Sequence, residues 1–227
     1  MSDRYAWAGG AEAQLCLGPF GDTESAVVLI APALFEEANR MRAVTVAIMR
    51  ALAARGIASI LPDLPGTNDS LVATCDARLE DWRMAFAAAV PSRPTYSVAI
   101  RGGALLDVEA DVAGRYHWSP PQGADLVRDL VRARLAGVRE GGAAFDPADI
   151  DQPGPPIELA GNAVSRDLLR ALDAAEPLAA QRVVRLEGDH RPADRRFAGR
   201  PLWRAAEPGA DPALAAAIAD DIADWIA

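Results

Sequence analysis

The chain has 227 residues and a mass of 23.9 kDa, which fits one α/β domain because such domains commonly reach roughly 200–250 residues. Its formal charge of −9 and its isoelectric point of about 4.8 argue against nucleic-acid binding, since a protein that neutralises phosphates needs a basic face. We therefore expect no nucleic-acid partner.

The start of the chain and its cysteine content predict a cytoplasmic protein. Residues 1–5 read M-S-D-R-Y and lack the apolar segment of a secretory signal. No apolar run approaches the roughly 18 residues of a membrane span. Cys16 and Cys75 are the only cysteines, a content typical of reduced thiols rather than of a disulfide framework.

Short apolar segments alternate with helical periodicities along the first half of the chain. The predicted strands are 4–8, 12–17, 26–30, 57–61 and 95–100. The predicted helices are 37–55, which repeats apolar residues at helical spacing, and 78–90. Continuous apolar strands that alternate with helices indicate a parallel sheet with right-handed crossovers.

The second half continues this alternation. It contains predicted strands at 116–118, 157–160, 182–186 and 201–205 and predicted helices at 124–136 and 165–175. A closing helix begins at Asp211 as N-cap with Pro212 at its first position, and it should bury Leu214, Ile218, Ile222 and Trp225.

One stretch of the second half interrupts the regular pattern. Residues 137–156 are rich in glycine, proline and aspartate, which predicts a mobile surface connection. We expect residues 1–227 to form a single domain in which 119–156 is a small cap insertion containing this connection.

The end of the strand at 95–100 has the frame of a nucleophile elbow without a nucleophile. In the elbow motif G-x-S-x-G, a strained strand-to-helix turn exposes a serine. Residues 99–103 read A-I-R-G-G here, and the following residues predict a helix start. Arg101 has no nucleophilic oxygen or sulfur and stays protonated, so the usual chemistry of this turn does not follow from the pattern.

Two loops that follow earlier strands bring polar side chains towards the same edge of the sheet. After the strand at 26–30, Glu36, Glu37 and Asn39 begin a helix. The two carboxylates either complement the helix dipole, or one of them faces Arg101 and forms a charge-assisted pair with it. Asp63 opens the segment that follows the strand at 57–61, which is either a plain turn or the wall of a site.

The base of a catalytic triad is also not where the triad order places it. That base should be a histidine after the last strand, but the only histidines are His117 and His190. Asp189 could fill the acid position with His190 beside it, or both could be ordinary surface residues. No metal-ligand spacing, phosphate-cradling loop or dinucleotide fingerprint occurs, so we predict neither a metal nor a cofactor.

Four stretches together resemble the α/β-hydrolase-like family of exosortase A system-associated hydrolases, second type. They read F-E-E-A-N-R-M-R at 35–42, L-P-D-L-P-G at 61–66, I-R-G-G-A-L-L at 100–106 and E-L-A-G at 158–161. The resemblance implies an α/β-hydrolase fold, with a mostly parallel sheet and helices on both faces. It also implies a bacterial protein from gene sets for exopolysaccharide production, with the family's elbow arginine at Arg101.

Three functions agree with these patterns. The first is an atypical hydrolase or acyl-transfer enzyme linked to exopolysaccharide and exosortase systems. The second is a non-catalytic homologue that binds a small anionic or acyl ligand, and the third is an interaction protein with a vestigial pocket. The residues predicted to line the ligand site are Arg101, Gly102, Glu36, Glu37, Asn39 and Asp63, with Asp189 and His190 as candidate acid and base.

Overall fold

The computed structural model describes residues 2–21, 25–139, 144–205 and 207–227. The strands are β1 (Ser2–Trp7), β2 (Gly10–Leu17), β3 (Val27–Ala31), β4 (Ala58–Pro62), β5 (Thr95–Ile100), β6 (Gly114–Trp118), β7 (Ile157–Leu159), β8 (Asn162–Val164), β9 (Arg182–Leu186) and β10 (Arg195–Phe197). The α-helices are α1 (Glu36–Ala54), α2 (Leu79–Ala88), α3 (Gly123–Arg139), α4 (Arg166–Asp173) and α5 (Pro212–Ile226). Among these helices, none combines the length and the apolar character that crossing a bilayer requires.

Eight strands form one twisted sheet in the order β1-β2-β4-β3-β5-β6-β9-β10, while β7 and β8 pair as a separate hairpin. The β1–β2 and β2–β4 pairs are antiparallel, and the other pairs of the large sheet are parallel. Parallel neighbours require crossover connections. Helix α1 lies between β3 and β4 and helix α2 between β4 and β5, whereas β5–β6 is joined through a 3-10 helix and β9–β10 through a loop. β5 lies between β3 and β6, so the turn after β5 reaches the middle of the carboxyl edge of the sheet.

The central strands are buried on both faces, as their continuous apolar runs predict. In β3, Val27, Leu29 and Ala31 face one core, while Val28 and Ile30 face the other. The first core is covered by α2, α3 and α4, and the second by α1 and α5. The predicted parallel sheet with helices on both faces is therefore confirmed.

Side-chain caps begin α4 and α5, and the one at Asp211 is the predicted N-cap. Ser165 accepts a hydrogen bond from the backbone N–H of Leu168 at the start of α4. Asp211 does the same for Leu214 at the start of α5. The strands at 95–100 and 182–186 have their predicted bounds. Trp225 is only partly buried, and it packs edge-on against Tyr96.

The predicted last strand at 201–205 is wrong. Leu202–Arg204 form a 3-10 helix, and the strand at that edge of the sheet is β10, which pairs with β9. Leu202 and Trp203 are adjacent and both buried, a pattern that a half-buried strand with alternating faces does not give. The sequence of β10 carries little strand signal because its first two residues are exposed arginines.

The predicted helix after the elbow is also wrong. Arg101–Leu105 form only a 3-10 helix, after which the chain turns towards β6. Gly102 and Gly103 each disfavour an α-helix by about 1 kcal/mol relative to alanine. The predicted helix start is therefore replaced by a single short 3-10 helix.

The structure describes only part of the connection predicted at 137–156. Residues 140–143 fall outside the described residues. Residues 137–139 extend α3, and Pro147–Asp151 form a 3-10 helix that buries Ile150 against the first core. The mobility of this stretch and the role of 119–156 as a cap stay predictions.

Gly103→Ala should destabilise the protein, because an added Cβ would lie 2.3 Å from the backbone oxygen of Ala31 and 2.6 Å from that of Pro32. We expect the free energy of unfolding, measured by urea denaturation, to fall by about 1–3 kcal/mol or more. Gly137→Ala is the matched control, because that glycine lies in α3 with open space around an added Cβ. It should raise the free energy of unfolding by about 0.5–1 kcal/mol. Equal effects of the two substitutions would contradict the close packing of Gly103.

Candidate functional site

Arg101 occupies the sharp turn after β5 in a left-handed backbone conformation. Its φ is 54°, a value that non-glycine residues rarely adopt and that is concentrated at functional sites. Phe35 in the loop after β3 has a φ of 55°, and Ser119 directly after β6 has a φ of 50°. Three strained turns thus follow three neighbouring strands at the same edge of the sheet.

The side chain of Arg101 pairs with Glu37. Nε and Nη2 donate hydrogen bonds to Oε2 and Oε1 of Glu37 at 3.1 and 2.9 Å, the bidentate geometry that makes such pairs strong. Nη1 donates to the backbone oxygen of Ser119 at 2.9 Å. Arg101 is only 4% exposed, so solvent screens the pair weakly. The predicted charge-assisted pair is confirmed, and Glu37 is the partner.

Trp203 covers one face of the Arg101 guanidinium. Cζ of Arg101 lies 4.6 Å from the centroid of the Trp203 ring, within the range of a cation–π contact. Trp203 follows β10, where the triad order would place a histidine. It is not among the predicted site residues, because a tryptophan between Leu202 and Arg204 gives no sequence signal of such a contact.

Glu36 supports this arrangement from outside the pair. It forms an ion pair with Arg40 at 2.5 Å one turn further along α1. Arg40 also donates to the backbone oxygen of Trp203 at 3.0 Å. Both glutamates lie in the first turn of α1, where negative charge complements the helix dipole. The two roles predicted for the acidic pair are therefore both present.

A cleft of about 440 Å³ opens beside Arg101, between α3 and the loops that follow β9 and β10. Positive charge predominates in its lining, which contains Arg101, Arg128, Arg132, Arg191 and Arg204 against Asp125, Asp129 and Asp189. Arg128 and Arg132 each pair with an aspartate three residues earlier on exposed parts of α3. Exposed pairs of this kind contribute little free energy, so these arginines can turn to a ligand at small cost.

Asp189 lies in this cleft, where its described partners are arginines. Nη2 of Arg191 and Nη1 of Arg185 lie 2.7 and 3.0 Å from its Oδ2. The hydrogen bond from Arg191 holds the pKa of Asp189 well below its usual range, so this group stays a carboxylate. His190 is exposed and lines the same cleft. The acidic residue after β9 thus orients arginines rather than a histidine.

Asn39 and Asp63 do not share the cleft of Arg101. They line a second cavity of about 430 Å³, bounded by the loop after β3, the first half of α1 and residues 61–74. Of the predicted ligand-site residues, only Arg101 lines the cleft. Glu36 and Glu37 line a neighbouring pocket beside Trp203 and Arg204, and Asn39 and Asp63 line the second cavity.

Gly102 faces packed side chains. An added Cβ at Gly102 would lie 3.2 Å from the side chain of Leu34 and 3.3 Å from that of Leu126. In α/β-hydrolases, the residue after the nucleophile and the loop after the third strand donate the N–H groups of the oxyanion hole. Here Leu34 and Leu126 fill the space beside Gly102.

The other histidine belongs to a buried polar cluster inside the sheet. Oγ of Ser97 donates to Oδ2 of Asp107 at 2.8 Å, and Nε2 of His117 lies 3.0 Å from the same oxygen. None of these three residues is more than 1% exposed. Although the cluster contains a serine, an aspartate and a histidine, its burial keeps it from a substrate.

Arg101→Ala should lower the free energy of unfolding by about 3–5 kcal/mol, the usual cost of breaking a buried pair from one side. Glu37→Ala should act in the same direction, and the double variant should lose less than the sum of both, as measured by a double-mutant cycle in urea. The control is Glu36→Ala, whose part-buried pair with Arg40, one helical turn away, should contribute about 0.5 kcal/mol. Strict additivity of the Arg101 and Glu37 variants would contradict a direct coupling.

Solved structures share this fold, whereas no protein-family model and no curated protein matches the sequence. Est1E from Butyrivibrio proteoclasticus with bound ferulic acid superposes with a TM-score of 0.70 at 14% identity, over 99% of each chain. Mouse alpha/beta hydrolase domain-containing protein 10 gives 0.62 at 14% identity over 100% of both chains. XC6422 from Xanthomonas campestris, described as a serine hydrolase without lid, gives 0.57 at 12% identity over 99% of this chain and 94% of that one. The chain therefore has the α/β-hydrolase fold.

Proposed function

We propose that this protein is a non-catalytic α/β-hydrolase homologue that binds a small anionic ligand in the cleft beside Arg101. The observation that carries the proposal is the state of the elbow residue. Acyl transfer in this fold requires an attacking oxygen or sulfur at the elbow. That position holds a guanidinium fixed by Glu37, Ser119 and Trp203, which provides no such atom.

The position of the base supports the same proposal. A serine nucleophile needs a neighbouring base to accept its proton. Trp203 lies against Arg101 in the region after β10, and its indole has no basic nitrogen. The carboxylate after β9, Asp189, is held by Arg185 and Arg191. These contacts support a proposal in which none of the three triad positions transfers a proton.

The charge of the cleft supports an anionic ligand. The whole chain carries a formal charge of −9, yet arginines outnumber aspartates in the lining of this cleft. The planar fork of arginine matches carboxylate and phosphate groups in a bidentate manner. Arg101 lines the cleft, and its guanidinium carries more N–H groups than Glu37 and Ser119 engage. A carboxylate or phosphate group is therefore the ligand chemistry that fits.

The family resemblance adds a biological setting to the proposal. Exosortase A system-associated hydrolases of the second type suggest a cytoplasmic bacterial protein that acts in exopolysaccharide production. In that setting an atypical hydrolase or acyl-transfer enzyme is the second candidate. The strained turns at Phe35, Arg101 and Ser119 favour it, because each costs about 1–3 kcal/mol and such strain is concentrated at active sites.

The two candidates differ in covalent chemistry. We expect no stoichiometric labelling by a serine-directed fluorophosphonate and no hydrolysis of p-nitrophenyl esters. Arg101→Ser should also stay inactive, because the new hydroxyl would face Trp203 rather than a base. Labelling of any serine in the unmodified protein, located by mass spectrometry, would overturn the non-catalytic proposal and favour the hydrolase.

Anion binding is tested separately, with inorganic phosphate and citrate as probes. Both should raise the melting temperature and bind measurably by isothermal titration calorimetry. Arg204→Gln and Arg132→Gln should each weaken binding by about tenfold or more, because a hydrogen bond to a charged group contributes about 1.5–3 kcal/mol. Arg50→Gln, an exposed arginine of α1 outside the cleft, is the control. If Arg204→Gln and Arg132→Gln bind the anions as tightly as the unmodified protein and the control do, the cleft is not the anion site.

A further inference from the structure

The second cavity is independent of the cleft beside Arg101. It has a volume of about 430 Å³ and shares none of the lining residues of the cleft. Small-molecule sites commonly have volumes of about 300–1,000 Å³. Large apolar side chains form much of its wall, among them Phe35, Met41, Leu64 and Trp82. Phe35 and Trp82 pack edge to face with centroids 5.7 Å apart and form the aromatic part of this wall.

Two opposite charges line this cavity without pairing with each other. Asp63 follows β4 and is 9% exposed, whereas Arg42 is an exposed residue of α1. Burial raises the pKa of the Asp63 carboxyl, although Asn68 and Arg42 act to lower it. Arg42 and Asp63 both line the cavity, but no ion pair of the described residues joins the two.

The carboxylate of Asp63 retains capacity for a ligand. Nδ2 of Asn68 donates to its Oδ1 at 2.5 Å, and among the described residues no side chain donates to Oδ2. Oδ2 is not among the buried polar atoms that lack a hydrogen bond, so it is open to the cavity that Asp63 lines. A ligand cation can therefore reach Oδ2 and form a charge-assisted hydrogen bond there.

A ligand with one charge would meet repulsion in this cavity. An amine attracted to Asp63 would lie near the guanidinium of Arg42, and a carboxylate attracted to Arg42 would lie near Asp63. Electrostatic complementarity with this cavity therefore requires a ligand that carries both a positive and a negative group. The apolar wall additionally favours a ligand with an apolar body.

We propose that this cavity binds a zwitterionic small molecule with an apolar body, of the class of α-amino acids with large apolar side chains. The ammonium group contacts Asp63, and the carboxylate contacts Arg42. The apolar side chain packs against Phe35, Leu64 and Trp82. This site is distinct from the anion site beside Arg101 and does not depend on it.

The test is isothermal titration calorimetry of the full chain with L-phenylalanine, L-leucine and L-methionine. At least one should bind at millimolar concentration or below and raise the melting temperature. Phenethylamine and 3-phenylpropionate, which each lack one of the two charges, should bind at least about tenfold more weakly than L-phenylalanine. The proposal is overturned if none of the amino acids binds, or if either analogue binds as tightly as L-phenylalanine.

Variants then locate the binding site. Arg42→Gln and Asp63→Asn should each weaken binding of the amino acid by about tenfold or more. The matched controls are Arg50→Gln on the same helix and Asp69→Asn in the same loop, both exposed and outside the lining, and they should bind normally. Arg42 is exposed, so its variant keeps the test decisive even if Asp63→Asn does not fold. Normal binding by Arg42→Gln would place the ligand elsewhere and overturn the proposal.

Discussion

The bidentate pair between Arg101 and Glu37 is the interaction on which the centre of this molecule depends. It joins the turn after β5 to the first turn of α1, and the third contact of Arg101 reaches the backbone after β6. Trp203 adds the segment after β10 to the same guanidinium. A buried arginine and a left-handed backbone are both unfavourable alone. Position 101 combines a buried charge with a left-handed backbone, so it has to be stabilised by contacts from several segments together.

The sequence predicts the parts of this centre that rest on local patterns and on charge. Strand β5 ends in the apolar residues Val98, Ala99 and Ile100, and the A-I-R-G-G frame marks the turn that follows it. The carboxylate partner is predictable because a buried arginine requires a negative charge, and Glu37 follows the neighbouring strand β3. The contact to Ser119 has no sequence signal, since a backbone carbonyl of any residue could provide it. Trp203 is likewise invisible, because its contact depends on where the short edge strand β10 ends.

The separation of Arg101 from Asn39 and Asp63, which line different cavities, has a topological cause. β3 and β4 are adjacent in the sheet, so loops that follow them are expected to meet at its carboxyl edge. β3, however, also borders β5, and the start of α1 lies between the elbow and the loop after β4. Glu37 and Asn39 are two residues apart on this helix, so they project in different directions. One faces Arg101, and the other faces the cavity that contains Asp63.

Stability alone does not account for a buried ion pair at the elbow. Replacing such a pair by apolar residues of similar volume is often neutral or stabilising, and Leu34 and Leu126 beside Gly102 already form an apolar surface. A purely structural role could therefore be filled by an apolar residue at position 101. What an arginine provides in addition is a fixed positive charge at the floor of a cleft whose rim carries further arginines. Glu37 and Trp203 hold that charge in one orientation, and pre-organised donors of this kind favour anion binding because little ordering remains to be done when the ligand arrives.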